Sequence, residues 1–453
     1  MLRAAFRRWF FIGNSRSQRQ GIRLALAWPT QPAFRLCLPK RRTPLFHSAR
    51  QVVPLLLSFL CGGCEPAALT SVDRQTDHDS QTLATVATAA ARGFIHPGVL
   101  VSRRQLDFVK ARLAAKADPW QSALVQVQKS PLASLSYRPQ PRATVECGSY
   151  SMPDYGCSDE KNDAAAAYTH ALLWFFLGSD AHARKSTEIL NAWAKVLKSH
   201  TNSNAPLQAA WSASVFVRAA EIMAHTDSSW PSAERKEFSD LLVRAFLPLI
   251  KDGSAANGNW ELSMTEALVG IAVFREDRAL FDDAVAMWRA RVPAYLYLSK
   301  DGPTPVPPPT GRRTGSVLVD YWYGQTRLVD GLSQETCRDL EHVQLGLAAL
   351  GNAAETARIQ GEDLFLSEKD RIKAGYEFHA KYLQGASVPS WLCKGKLEGV
   401  DPKPMWELGH SELSNRLGLS LPQTRDLLPK VRPTRVDHHM VWESLTHAEL
   451  TVF

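Results

Sequence analysis

The chain has 453 residues, 45% hydrophobic and 22% charged, which is enough for one large domain or two ordinary ones and excludes a fibrous or disordered protein. Its net charge of +8 is confined to one end: residues 1–63 carry eleven Lys/Arg and no Asp/Glu, leaving 42 basic against 45 acidic residues from Cys64 onward. That near balance gives no charge argument for a nucleic-acid or general polyanion role, so no nucleic-acid partner is expected.

Lys40-Arg41-Arg42 and Arg50 precede an apolar run, Val52 to Leu60, and the small residues Gly62-Gly63 stand just before Cys64. A basic stretch, a short apolar stretch and small residues form a secretory signal, too short to span a membrane permanently. The expected location is the periplasm, the outer membrane through a lipid anchor at Cys64, or the exterior. Cys61 replaces the usual leucine of a lipidation signal, so plain cleavage stays open. Residues 1–39 are read as a start placed too far upstream or as a long leader. The expected organisation is a leader over 1–63, an Ala/Thr/Ser-rich linker over 64–95 and one domain over 96–453. Export would let disulfides persist; the ten-residue spacing of Cys147 and Cys157 suits a looped staple, and Cys337 and Cys393 are either a second bridge or buried thiols.

From His96 onward the pattern is helical. Candidate helices run over 103–116, 162–178, 181–198, 207–225, 231–250, 260–275, 279–290, 336–359, 366–384 and, briefly, 440–449. Short Gly, Ser, Asp or Pro punctuation separates many of them, which predicts antiparallel neighbours. Ala164 to Phe176 and Ala267 to Phe274 are apolar on more than one face, as in a helical toroid whose inner ring is covered by an outer one. Residues 299–334 interrupt the series: Asp301-Gly302-Pro303 to Gly311-Arg312-Arg313 cannot form a helix, and Tyr321-Trp322-Tyr323 is suited either to stacking on sugar rings or to packing the loop down.

The segment Gln334 to Gln344 carries the most chemistry. On a helical period Glu335, Arg338 and His342 fall on one stripe at the start of an apolar helix, where a carboxylate, a guanidinium and an imidazole are costly to bury without partners. The expectation is the floor of an anion-binding catalytic cleft, with Arg338 pairing a carboxylate and His342 as a proton acceptor. Asn257-Gly258-Asn259-Trp260-Glu261 opens another helix; its asparagine either caps the helix or presents an amide to a ligand, and Trp260 is a platform for a ring. Gln208 and Trp211 open a further inner helix, and Met405-Trp406-Glu407 with His410 are candidates for another cleft wall. His439 and Glu443 stand one turn apart, as a pair of metal ligands would. No CxxC pair or His/Cys array at zinc spacing occurs, which argues against a structural zinc site; no cofactor is expected, and a divalent cation cannot be read from the sequence. GxGxxG, P-loop, GxSxG and HExxH motifs are all absent, which sets aside nucleotide chemistry, serine hydrolysis and zincin proteolysis.

Ala209-Ala210-Trp211-Ser212-Ala213-Ser214, Asn257 to Glu261, Gln334 to Asp339 with His342 and Gln344, and Arg432-Pro433-Thr434 together resemble the alginate lyase superfamily of polysaccharide lyases, over roughly residues 96–450. The resemblance implies an all-α (α/α) toroid and β-elimination on an acidic, 1,4-linked uronate polymer such as alginate or glucuronan. It implies that Asn259 and Arg338 neutralise the uronate carboxylate. A histidine follows the asparagine in that family and a tyrosine lies seven residues beyond the arginine; here Trp260 and Leu345 occupy those positions. The base and acid are therefore sought among His342, Tyr321, Tyr323 and His410, with Trp260, Trp211, Gln344, His410 and Glu335 as substrate contacts. Two alternatives are an inverting hydrolase using Asp163 and Glu261, and a non-catalytic glycan-binding protein.

Overall fold

The computed structural model describes residues 93–453 apart from Asp227 and Arg312, so the leader, Cys64 and nearly all of the linker lie outside the described residues. After α1 (Arg103–Ala114) and α2 (Trp120–Lys129), the chain alternates between two layers. The inner layer is an arc of α3 (Cys157–Leu177), α5 (Ala205–His225), α7 (Gly258–Phe274) and α10 (Leu340–Ile359), each packed on the next. Outside it, α4 (Asp180–Val196) covers α3, α6 (Ser232–Leu241) covers α4, and α8 (Arg278–Tyr295) covers α7. A short α9 (Gly315–Tyr321), then α11 (Lys369–Leu383) against α12 (Pro422–Val431), complete the labelled helices. This is the all-α toroid, and the inner helices are apolar all round because both of their sides are walled. Nearly every residue of α5 from Ala205 to Met223 is buried, against the one-sided burial of α4.

Each fully buried large side chain, such as Phe216, Phe238 or Trp193, contributes about 1.5–3 kcal/mol through removal from water. Polar ties cross the arc as well. Glu266 of α7 accepts from Arg218 of α5, from Asn352 of α10 at 3.1 Å and from His439 at 2.6 Å. Burial would raise its carboxyl, but His439 and Arg218 hold it below the ordinary glutamate range.

Periodicity located the helices but misplaced some ends. α3 begins at Cys157 rather than 162, because Asp154 receives the Cys157 and Ser158 amides at 2.9 and 3.1 Å and caps it; Gly178, at φ 65°, ends it as expected. The helix expected over 336–359 starts at Leu340: Asp339 is extended, at φ −174° and ψ 157°, and its carboxylate caps α10. The 231–250 stretch loosens into a π-turn at Leu242–Phe246. Three short strands, β1 (Thr144–Cys147), β2 (Asp154–Tyr155) and β3 (Ser199–Thr201), are too brief to show alternation in sequence. They form one sheet in the order β2-β1-β3, antiparallel then parallel. Both cysteine pairs, Cys147–Cys157 and Cys337–Cys393, are disulfides. No described helix is long and apolar enough to cross a membrane.

Candidate active site

A cleft of about 680 Å³ opens at one end of the arc. Its walls come from α3 (Lys161), α5 (Trp211), the first turn of α7 (Trp260), Arg338 and His342 at the head of α10, His438 near the C-terminus, and the β1–β2 flap with Tyr150 and Met152. Lys161 and His342 both line the cleft, one on each terminal helix of the arc.

The floor is built on Tyr295 of α8. Its ring lies where a Cβ on Gly258 or Gly346 would sit, 2.2 and 2.1 Å away, so only glycine admits it at either position. The Tyr295 hydroxyl donates to Glu335 at 3.2 Å. Glu335 is fully buried and also accepts from the Asn259 backbone at 3.1 Å, from Asn259 Nδ2 at 2.7 and 2.8 Å and from Arg338 at 2.8 Å. A carboxylate at the N-terminus of α7 answers both the free amides and the helix dipole. Gln334 does the same for Gly258, accepting its amide at 2.9 Å, so the N-terminus of α7 is capped by these two side chains and Asn257 makes no cap bond of its own.

Arg338 is thereby fixed from below while its side chain remains 18% exposed into the cleft. Beside it, His342 Nδ1 lies 2.7 Å from both oxygens of Asp339, leaving Nε2 as its unengaged nitrogen. Burial would raise the Asp339 carboxyl, but bonds from the His342 ring and backbone hold it below the ordinary aspartate range. Asp339 therefore stays anionic and fixes the orientation of the His342 ring. Opposite, His438 Nδ1 meets Asp437 at 2.6 Å and its ring lies edge-on to Trp211, with centroids 4.5 Å apart. Burial pushes the His438 imidazole down. Burial likewise lowers the Lys161 ammonium, whose nitrogen stands 5.6 Å from the Trp211 ring centre.

Of the residues singled out by sequence, Arg338, His342, Trp211 and Trp260 come together in the cleft. The others do not reach it. Asn259 is buried beneath the floor with its amide nitrogen given to Glu335, so it positions Glu335 instead of meeting a substrate. Glu335 itself is the buried counter-ion of Arg338. Tyr321 is buried, donating to Ala256 O at 2.9 Å and accepting from Arg291 at 3.1 Å. Gln344 is spent on Asp401 O at 3.1 Å and the Lys403 amide at 2.7 Å. His410 is buried among packing residues, as are Met405 and Trp406, so no second cleft wall forms there. Tyr323, 39% exposed, accepts from Asn257 at 2.8 Å in an adjoining hollow beside Arg338, and burial raises its phenol. Glu335 and Arg338 do meet, but in a turn before the helix begins and not on a helical stripe.

Other expectations also fall. Asp163 is consumed by Tyr137 at 2.7 Å and Trp193 at 2.7 Å, and Glu261 by Arg291 and Thr310, so neither carboxylate of a hydrolase pair faces the cleft. His439 binds Glu266 and Glu443 accepts the Leu408 amide, so those two do not share a metal. Lys161 and the Asp339 brace were missed, and His438 is read from sequence only as part of a C-terminal cluster with His439, Trp442, Glu443 and His447. Lys161 looked like a surface lysine in the first turns of a helix, and the place of His438 in the cleft became legible only through its contact with Trp211.

Comparison with known proteins agrees with this architecture. The structure is similar to alginate lyase A1-III from Sphingomonas species A1, with 18% identity, TM-score 0.50 and coverage of 70% of this chain and 88% of that one. It is also similar to two variants of alginate lyase A1-III complexed with tetrasaccharide, a histidine-to-alanine and a tyrosine-to-phenylalanine form. These show 16% identity in each case, TM-scores of 0.54 and 0.55, and coverage of 78% and 79% of this chain and 96% and 98% of theirs. No curated protein matches the chain. The alginate lyase family model matches residues 157–388, more than half of the sequence and the whole inner arc with its cleft residues from Lys161 to His342. The chain belongs to the alginate lyase family and is a polysaccharide lyase of (α/α) toroid fold.

Proposed function

We propose that the cleft performs β-elimination on a 1,4-linked uronate polymer, alginate or glucuronan, with His342 as base, Arg338 as carboxylate clamp and Lys161 as proton donor. The observation that carries this reading is the His342–Asp339 pair standing beside Arg338 in a cleft with Trp260 and Leu345 on its walls. Those last two positions correspond, by the sequence resemblance, to the family's proton-transfer histidine and tyrosine. Neither tryptophan nor leucine can move a proton, so the work passes to titratable neighbours.

The C5 proton is weakly acidic until the attached carboxylate is neutralised, and Arg338, held rigid by Glu335, supplies that charge with no reorganisation. With its Nδ1 proton directed at Asp339, His342 turns the Nε2 lone pair to C5, beside the clamp. The electron pair left at C5 forms the C4–C5 double bond as the C4–O4 bond breaks. The departing oxygen takes a proton from Lys161, whose burial makes the ammonium a better acid than in water. Trp211 and Trp260 give the sugars apolar faces, and His438 fixes the edge of Trp211.

Export, with or without lipid at Cys64, belongs to the same proposal; the two disulfides support it because they persist in oxidising compartments. The test is incubation with alginate, poly-mannuronate, poly-guluronate and β-glucuronan, followed by ultraviolet absorbance of the unsaturated product. A rise with one polymer, lost in Lys161→Met while oligosaccharide binding persists, is expected. Full turnover in Lys161→Met removes the lysine from the mechanism, and no rise on any of the four sets aside this substrate class.

A further inference from the structure

At the other end of α5, Trp211 and the cleft are 14 residues behind, about 21 Å along the helix axis. There Glu221 and His225, four residues apart and so on one helix face, meet His96 from the segment that enters the domain. Glu221 is wholly buried. Its Oε2 accepts the Gly98 amide at 2.9 Å and lies 3.0 Å from His96 Nδ1, while Oε1 stands 3.2 Å from the same nitrogen and 3.6 Å from His225 Nε2. The three atoms converge within 4.8 Å of one another. The two imidazoles are stacked, 3.9 Å between centroids and 9° from parallel. On its far side His96 Nε2 meets Glu276 at 2.5 Å.

We infer that His96, Glu221 and His225 form a binding site for a divalent transition metal of the zinc class, separate from the lyase cleft. A tetrahedral ion with bonds of about 2.0–2.1 Å keeps its ligand atoms about 3.3 Å apart. The separations of 3.2 and 3.6 Å from Glu221 Oε1 approximate this, and the exposed His225 ring must swing out of its stack on His96 to bring its Nε2 lone pair onto the ion. Two imidazoles and one carboxylate select zinc, nickel or copper over magnesium and calcium, which take oxygen ligands. Glu276 supplies what such sites use behind a ligating histidine: a carboxylate on the other ring nitrogen, which fixes the tautomer and strengthens the donor. Solvent reaches the cluster beside His225, leaving a coordination position for water. His96 lies 125 residues before Glu221, so the Glu221–His225 pair alone does not announce a third ligand. The ion would tie the entering segment, already held by Leu100 N to Thr356 at 3.0 Å, to the inner arc.

The test is titration of the chelator-stripped protein with zinc by calorimetry and with cobalt by visible absorption. Wild type is expected to take up one ion per chain, to gain the visible bands of tetrahedral cobalt and to melt at higher temperature with zinc. Glu276→Gln should weaken binding ~10–100-fold, the range for losing an outer partner, and His225→Ala by more than that. His225 is partly exposed and remote from the cleft, so His225→Ala keeps wild-type lyase activity, which verifies its fold. No saturable uptake by wild type, or unchanged uptake by His225→Ala, overturns the assignment.

Discussion

Replacing Asp339 with asparagine separates the two jobs of that residue. Asp339 Oδ1 caps α10 by accepting the His342 amide at 2.8 Å, and both carboxylate oxygens brace the His342 ring at 2.7 Å. Asparagine caps a helix as well as aspartate does, and the nearby Arg338 Nε, at 3.8 Å in a partly exposed pair, contributes little. The stability loss should therefore be about 0.5–1 kcal/mol, a melting shift of about two degrees or less in a protein of this size. Catalysis should fare very differently. The asparagine amide donates to Nδ1, so the ring proton moves to Nε2 and the lone pair is lost from the cleft. A histidine held in the wrong tautomer costs ~10⁴ in turnover where it is the base, and the partial exposure here puts the expected fall in kcat at ~10²–10⁴. KM should barely move, because Arg338 and the tryptophans are untouched. Initial rates of unsaturated-product formation, beside a thermal melt, measure both. A variant with kcat within about threefold of wild type would refute His342 as a base braced by Asp339, whatever the melt shows.

Arg338→Ala should lower kcat/KM by ~10²–10³, the loss of one charge-stabilising donor. It should also cost about 2–3 kcal/mol by thermal melting, since Glu335 stays buried but keeps Asn259 and Tyr295; a melt loss with intact turnover would make the pair structural only. Glu443 is pushed up to about 8 by burial. The folded protein thus binds an extra proton between the ordinary glutamate value and pH 8, and stability falls as pH rises through that window. Glu443→Gln should remove this loss, so its stability advantage over wild type grows by ~1–3 kcal/mol from pH 5 to pH 8; parallel curves for the two proteins would contradict it. Removing Cys337–Cys393 by serine substitution frees a 56-residue loop and should cost about 4 kcal/mol of chain entropy, read by denaturant titration with kcat as a check on the neighbouring Arg338.

The architecture was legible because its cause is local. An inner helix must be apolar all round, and runs such as Ala164 to Phe176 say so without a partner in view. The cleft was legible only where one residue type has few cheap fates: an arginine and a histidine beside an apolar helix, and tryptophans near helix starts. Polarity alone misled. Gln344, Tyr321 and Glu335 carry the same functional groups as site residues, yet each is consumed by a backbone or side-chain partner that sequence spacing does not reveal, and His410 is simply buried. The place of His438 and Lys161 in the cleft is hidden for the opposite reason, since their surroundings are assembled from segments more than 200 residues apart.

The flap adds a timing element to this enzyme. Tyr150, 85% exposed, and Met152 project from a hairpin whose two ends are joined through Cys147 and Cys157. A linked hairpin has lost much of its freedom before any sugar arrives, so closing over a polymer costs it less than it would cost an open loop. The thiol form has no such head start. Reduction would therefore loosen the grip on polysaccharide at the flap, and oxidation would restore it, without any change in the residues that touch the sugar.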